Sequence, residues 1–496
     1  MCAERAHCVS RINMSGREGA TASFPLSMQY RKIQGTLVKQ RILLFITLCL
    51  LTTTTHAKER PKTEQYDLTR LELLDLETAQ RIALRDNPGI AAAQARLEQA
   101  KAVLKQAVAA DKPSVDAGAS TGLGWYSENN YESISFADSS ADRNYESGSL
   151  SLQASWLVFD GYARKFRQEQ ARYGIQASDA NRKNTQRLLI SAVADAFFNA
   201  QSALAAIEIA AANKAFYKRQ LQDAESRLEV GSGSLGDVLN MKVQLNSAKN
   251  SLLTGKQNYK TSRYALAALL GLDDSVLPKK VQLAALDKAC DVSAEKSLSN
   301  TDKLIAEALR ARPDLLALNM RIKGAEAGVE QAGAGDLPVV QLVGRLEGSS
   351  TDSLAPTEED VGAFLGVNVS WNLYSGGAVD AAVLEARQAR REAGYSYAEL
   401  RNSITSEVQQ AATRLTAARK QVRLQRETVE LVKENRKLAK SEYEAGSASL
   451  VRLNEAQRDL TATYAELIRA LLSYQQARHQ LLAAVGRNLK PFAAAD

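Results

Sequence analysis

The sequence predicts a mainly α-helical protein that also carries membrane β-strands, and three observations predict it. The chain is duplicated. ALRDNP at residues 83–88 returns as ALRARP at 308–313, and Pro113 returns as Pro338, both 225 positions later. SWLVFDG at 155–161 returns as SWNLYSG at 370–376, and EVGSGSL at 229–235 as EAGSASL at 444–450, both 215 positions later. LLGLD at 269–273 has a weaker echo in AVGRN at 484–488. The change in spacing removes ten residues between the two strands of the second copy. A unit of about 200 residues present only twice is a duplicated architecture and not a solenoid repeat. The second observation is that no proline interrupts Pro113–Pro278 or Pro356–Pro491. Each gap holds a helix far longer than globular domains use. The third is a pair of alternating apolar and polar segments in each copy.

In chain order, the first copy reads as a helix over Asp75–Asp111, a strand over 115–126, a polar outer loop over 127–147 and a strand over 149–158. A helix over Ala163–Glu229, a turn and a helix over Leu235–Leu270 follow. The long helix has 67 residues, about 100 Å at 1.5 Å per residue, and the two shorter ones laid end to end match it. The second copy repeats the pattern with helices over 302–335, 378–445 and 450–485, strands over 339–348 and 365–373, and a loop over 347–360. The domain boundaries expected from this are a leader over 1–57, a first repeat over 58–272, a linker over 273–301 holding Cys290, a second repeat over 302–487 and a tail over 488–496.

The long helices keep strict heptads. In the second copy one seam runs Ile404, Ala411, Ala418, Gln425, Val432, Ala439, and the other Val408, Leu415, Val422, Val429, Arg436, Tyr443. Ten of these twelve positions are apolar, and eleven of the twelve that lie 215 positions earlier, so both helices predict left-handed coiled-coil packing. The many alanines predict close approach. In the strands, Leu150, Leu152, Ala154, Trp156 and Val158 alternate with polar residues, as do Leu365, Val367, Val369, Trp371 and Leu373. Segments of about ten residues with this alternation are the pattern of a transmembrane barrel. Four strands are too few to close one, since the smallest barrels have about eight, so the chain is expected to oligomerise.

Composition excludes much else. Of 63 Lys/Arg and 56 Asp/Glu, residues 1–57 hold seven and two, so the remainder carries 56 against 54 and offers no basis for nucleic-acid binding. Residues 28–57 resemble an export signal. Arg31, Lys32, Lys39 and Arg41 precede an apolar run over 42–51, and Thr55-His56-Ala57 offers a cleavage site before Lys58. Leu48 before Cys49 is not the small residue that a lipid-anchor signal needs. Beyond residue 57 only Cys290 and His479 remain of their kinds, which rules out an intrachain disulfide, a zinc cluster and a Ser–His–Asp triad. No phosphate-binding or dinucleotide glycine pattern occurs. An enzyme is not expected, nor is a cofactor or a metal.

The turns between long and returning helices carry the candidate functional residues. Gly231 and Gly446 suit left-handed C-terminal caps. Ser234 and Ser449 suit N-caps, with Asp237 completing an S-x-x-D box. Arg452 stands at the third position of its helix, where the dipole disfavours a cation. The expected compensation is Glu455 one turn on, or Asp237 of a neighbouring hairpin.

These features together resemble the TolC family of outer-membrane efflux and secretion channels: the duplication, LRDNP and LRARP, FDG and YSGG after the second strand of each copy, and VGSGSLGDV and YEAGSASLVRL at the turns. The resemblance implies a homotrimer with a twelve-strand outer-membrane β-barrel continuous with a periplasmic α-helical barrel. It also implies a passive duct that works with a periplasmic adaptor (membrane fusion) protein and an inner-membrane ABC or proton-driven pump, surrounded by outer-membrane lipid. The FDG and YSGG forms, without an anchor cysteine, are closer to the TolC and type I secretion branch. The family places an aspartate where Asp237 stands and a tyrosine where Tyr443 stands, and these hold the periplasmic entrance shut. In the family's best-known member two aspartates ring the entrance from the second tip; those positions read Arg452 and Glu455 here, which argues against an acidic ring. The competing expectation is a periplasmic coiled-coil adaptor or scaffold. It leaves the two strand pairs without a use.

Overall fold

The structure, a computed structural model, describes residues 71–137, 143–286, 300–351 and 353–492, all in one unit spanning 66–496. The leader with its export signal, the first residues of the first repeat (58–70), and Cys290 lie outside the described residues. The described residues open with β1 (Leu73–Leu74), which pairs in parallel with β4 (Gln282–Leu283). The expected linker therefore contributes a strand that returns to the segment before the first helix, which its mixed composition did not signal.

The helices expected at 75–111 and 302–335 are each two helices. The first divides into α1 (Leu76–Asp86) and α2 (Pro88–Ala109). The second divides into α6 (Thr301–Ala311) and α7 (Pro313–Gly333), followed by a 3₁₀ turn over Ala334–Asp336. The cause is in the repeated motif. A residue before proline is pushed out of the helical region, and Asn87 and Arg312 sit at ψ 124° and 125°. Each break is also put to use. Asn87 Nδ2 donates to the carbonyl of Leu269, at the end of the first returning helix. Arg312 Nη1 donates to that of Ala484, 215 positions later, at the end of the second.

Four antiparallel strands form one sheet in the order β2 (Ser114–Trp125), β3 (Asn144–Asp160), β5 (Val339–Ser350), β6 (Val361–Ser370). The register places Val115, Ala117, Leu123, Leu150, Leu152, Trp156, Leu342, Leu346, Val361, Leu365, Val367 and Val369 on one face. That face carries no charge except Glu146, near the end away from the helices. Asp116, Gln153, Arg345, Glu347 and Asn368 occupy the opposite face. The region expected to be a polar loop after β2 includes a short helix, α3 (Glu128–Ala137), and β3 already begins at Asn144. Strand β6 stops at Ser370, short of the expected Trp371 and Leu373. The indole of Trp371 donates to the carbonyl of Asp336 (3.0 Å), as that of Trp156, which stays within β3, donates to Asp111 (2.9 Å). The next residues turn, with Asn372 Oδ1 accepting from Tyr374 N.

From the sheet descend α4 (Ala163–Glu229) and α8 (Ala378–Glu444), 67 residues each, and α5 (Leu235–Leu269) and α9 (Leu450–Val485) return. Gly161-Tyr162 and Gly376-Gly377 enter the long helices with positive φ. A Cβ at Gly161 would stand 2.8 Å from the carbonyl of Ala334, so space as well as φ demands glycine there. Helix α4 packs on α2 and α5 to one side and on α7 and α9 to the other, whereas α8 packs mainly on α6, α7 and α9. The helices therefore run α2/α5, α4, α7/α9, α8, in step with the sheet order. The predicted seam of α8 is buried at Ile404, Val408, Ala411, Leu415, Ala418, Val422, Val429 and Ala439.

A buried polar joint locks the middle of the helices. Arg187 Nη1 donates to Ala483 O (2.9 Å), and Arg312 donates to Asp314 Oδ2 (2.6 Å) and Glu407. The beginning of the expected C-terminal tail takes part: residues 487–492 form a 3₁₀ helix, and buried Asn488 donates to Arg187 O (2.8 Å). Burial raises the Asp314 carboxyl, but Arg312 and Arg187 outweigh it and hold the group below its ordinary range.

Candidate functional site at the helical tips

Both turns are built alike. Gly231 N donates to Leu228 O and Ser232 N to Arg227 O, while Gly446 N donates to Tyr443 O and Ser447 N to Glu442 O. Gly231 and Gly446 sit at φ 76° and 75°, and a Cβ on either would meet nothing within 4 Å, so backbone conformation alone requires them. Ser234 caps α5 by accepting from Asp237 N (3.1 Å), which is half of the expected box. Ser449, expected to cap α9, makes no such bond.

The structure brings Tyr443 and Asp237, which lie on different hairpins, into one electrostatic neighbourhood. Half-buried Tyr443 has its hydroxyl held above the ordinary value by burial first. Arg227 opposes this, and Asp237 and Asp223 add to it. The Arg227 guanidinium lies 4.7 Å from the Tyr443 ring centroid, within cation–π range, and joins the hairpins. Behind it Phe216, Tyr217, Val238, Met241, Leu450 and Leu453 form a shared apolar cluster. Arg436, one of the polar seam positions, lies over Phe216 (5.2 Å) and donates to Gln457 Oε1, and Gln457 Nε2 reaches Asn213 Oδ1 (3.2 Å). Asn454 is buried next to this network with neither amide atom bonded.

Within one chain Arg452 pairs with neither Glu455 nor Asp237. Its partner is Glu442, 3.4 Å away on the descending helix of the same hairpin, because the turn folds position 452 back beside 442. Glu455 is exposed and makes no ion pair or hydrogen bond with any other described residue. The residues missed from sequence, Arg227 and Glu442, had a signal in the duplication. Arg227 and Asp237 correspond, 215 positions on, to Glu442 and Arg452, so the two tips carry the same pair of positions with the charges exchanged.

Among the described residues no group of His, Cys, Asp or Glu could hold a metal ion. The sequence profile described as outer membrane efflux protein matches residues 80–272 and 304–487. Outer membrane efflux protein BepC of Brucella suis biovar 1 is 23% identical over 343 residues, 68% of this chain and 72% of that protein. Outer membrane protein TolC of Vibrio cholerae serotype O1 is 26% identical over 341 residues, 68% of this chain and 74% of that one. Among solved structures, the outer membrane protein VceC of Vibrio cholerae superposes with a TM-score of 0.66 at 20% identity, covering 83% of this chain and 96% of that one. The CmeC outer membrane channel of Campylobacter jejuni gives 0.68 at 18%, covering 83% and 85%. The chain belongs to the outer membrane efflux protein family, the TolC-like channels that lie in the outer membrane, extend into the periplasm and serve as non-enzymatic conduits.

Proposed function

We propose that three copies of this chain close a twelve-strand barrel and a continuous helical barrel, forming the passive exit duct of a tripartite efflux or type I secretion system. One observation carries the reading: the free edges of the molecule match from membrane to tip. Strands β2 and β6 leave unpaired edges that lipid cannot satisfy, and α2/α5 and α8 are the flanking helices on the same two sides. On α8, Leu424, Leu431 and Leu438 are 62%, 73% and 54% exposed at a spacing of seven. That is a second heptad stripe, and its counterpart on the next copy is the exposed Leu239, Val243 and Leu253 of α5. The two halves of the chain act as tandem repeats in this closure. A periplasmic scaffold would leave the apolar sheet face without an environment.

In this reading the tips form the periplasmic gate. Gly231 and Gly446 shape the turns that an adaptor's tips meet. Asp237 and Tyr443 tie neighbouring hairpins together, and Arg452 and Glu455 replace an acidic ring with mixed charge. Inner-membrane pumps, ABC-type or proton-driven, supply the energy, and the FDG and YSGG forms favour the secretion branch. Light scattering of the detergent-solubilised protein is expected to give a trimer, with heat-modified mobility of the barrel. A stable monomer overturns the proposal.

A further inference from the structure

The polar face of the sheet is built mostly from small residues, and one row across all four strands departs from that. Asp116, Gln153, Arg345 and Phe364 stand side by side in register. The rows on either side hold only serine and glycine, apart from Val343 and Glu347. Phe364 is 62% exposed although it points away from the apolar face. Its ring leans over Gly366, where a Cβ would come within 2.6 Å of Phe364 Cζ, so the missing side chain is what seats it. Covering that glycine occupies one side of the ring and leaves the other open. Arg345 turns the opposite way along its strand, with Nη1 3.4 Å from Glu347 Oε2 and Nη2 3.4 Å from Gln153 Oε1. Both contacts are longer than an ordinary hydrogen bond, and the ion pair is exposed, so they hold the guanidinium weakly. They also leave most of its donors unused.

We propose that Phe364 and Arg345 form a station in the pore for small planar aromatic carboxylates. The ring of such a molecule stacks on Phe364 while its carboxylate takes the remaining donors of Arg345. The inference rests on the three-copy reading above, in which the polar sheet face lines the pore and each copy supplies one station. Spacing selects the ligand. Directly opposed residues on neighbouring strands have their Cβ atoms about 5 Å apart, so a carboxylate borne directly on an aromatic ring spans both groups. An aromatic cation is not matched in this way. Within the chain Asp116 lies three strands from Phe364, about 14 Å at the usual strand spacing, and Glu347 is already turned to Arg345. An aliphatic carboxylate keeps the arginine and forfeits the ring. The serines and glycines around the station offer little further hold, so the ligand leaves again, as conduction requires.

Single-channel recording of the full chain in planar bilayers, with naphthoate as the probe, tests the station. Naphthoate produces brief current blocks whose frequency rises with its concentration. Cyclohexanecarboxylate, of the same charge but without an aromatic ring, blocks about fivefold more weakly. Naphthylmethylamine, which has the ring and the opposite charge, blocks more weakly still. Arg345→Gln keeps a polar side chain and weakens the naphthoate block about tenfold, the usual loss of a charge-assisted hydrogen bond. Phe364→Leu keeps apolar bulk over Gly366 and brings naphthoate down to the level of cyclohexanecarboxylate. A pore that all three compounds block alike, or that none blocks, overturns the inference and leaves the three-copy reading standing, as does a naphthoate block that survives both substitutions. A chain that forms no conducting pore overturns both.

Discussion

Helices α4 and α8 have the same length, the same glycine entry and the same heptad register, yet α4 buries sixteen of its residues and α8 only eight. The difference lies in their neighbours. Helix α4 stands inside the row of helices with partners on both flanks, and its second face is apolar and aromatic, with Phe197, Phe198 and Phe216 buried. Helix α8 stands at the edge, and the same face carries leucines that no described residue covers. A duplicated helix thus separates the surface completed within the chain from the one that the proposed assembly would cover.

The comparison breaks most visibly at Phe216 and Leu431, which are equivalent positions 215 apart; Phe216 is 5% exposed and Leu431 73%. Phe216→Ala is expected to cost about 3–5 kcal/mol of folding stability, the usual result of emptying an aromatic site in a core. Leu431→Ala is expected to leave folding nearly unchanged and to weaken the trimer instead. Denaturant unfolding and light scattering on the two variants separate the effects. Equal folding losses would mean that Leu431 is covered within one chain.

A second pair sharpens the same contrast. Asn87 and Arg312 occupy the same place in the two copies and cap the same returning-helix carbonyl. Arg312→Ala leaves Asp314 and Arg187 in a broken buried network and is expected to cost about 3–5 kcal/mol. Asn87→Ala removes neutral hydrogen bonds and is expected to cost about 1 kcal/mol. Thermal unfolding should rank them in that order, and the reverse order would remove the joint from the account. The glycines after those helices run the other way. A Cβ at Gly271 would lie 2.5 Å from the Asp86 carbonyl, whereas one at Gly486 has its nearest atom at 3.6 Å, so alanine is expected to harm the first copy more.

Acid acts oppositely on two carboxylates. Asp314 is held below its ordinary range, so its stabilisation is present at neutral pH and is lost as pH falls through its folded value, below about 3.9. Asp195 is raised by burial, with its bond from Gln480 opposing. Its contribution is present below about 3.9 and lost as pH rises through its folded value. Asp195→Asn is therefore expected to stabilise the protein at neutral pH, and Asp314→Asn to destabilise it. Melting curves from pH 3 to 7 test both signs.

How much of this was legible in the sequence depends on the range of the interaction. The α8 seam, the 67-residue helices and the alternating strands follow from periods of seven and two, which a single segment carries. Asn87 and Arg312 were equally visible, since each precedes a proline, but matching the lengths of whole helices concealed the break. The β1–β4 pairing and the docking of Asn488 join segments more than 200 and 300 residues apart, and short polar stretches carry no period to announce them. At the tips, spacing along one helix pointed Arg452 to Glu455. The observed partner lies ten residues back across the turn, and only the 215-residue correspondence with Arg227 and Asp237 marks it.

That exchanged pair yields the smallest expected effect. Glu442 and Arg452 are both substantially exposed, and such ion pairs contribute only ~0–1 kcal/mol each. In a closed trimer three copies act together, so Arg452→Glu is expected to shift the tips by at most a few times that amount and to raise single-channel conductance in planar bilayers modestly. Tyr443→Ala removes the Arg227 contact as well as apolar burial between the hairpins and is expected to raise it more. The decisive variant is Glu442→Arg combined with Arg452→Glu, which gives the second tip the charge order of the first. If the pair acts by mutual attraction, the double variant returns conductance to the starting level, because the attraction is restored with its direction reversed. If Arg452 instead acts on Asp237 of a neighbouring hairpin, the double variant conducts as much as the single one. Conductance unchanged in all three would show that these residues only shape the turns.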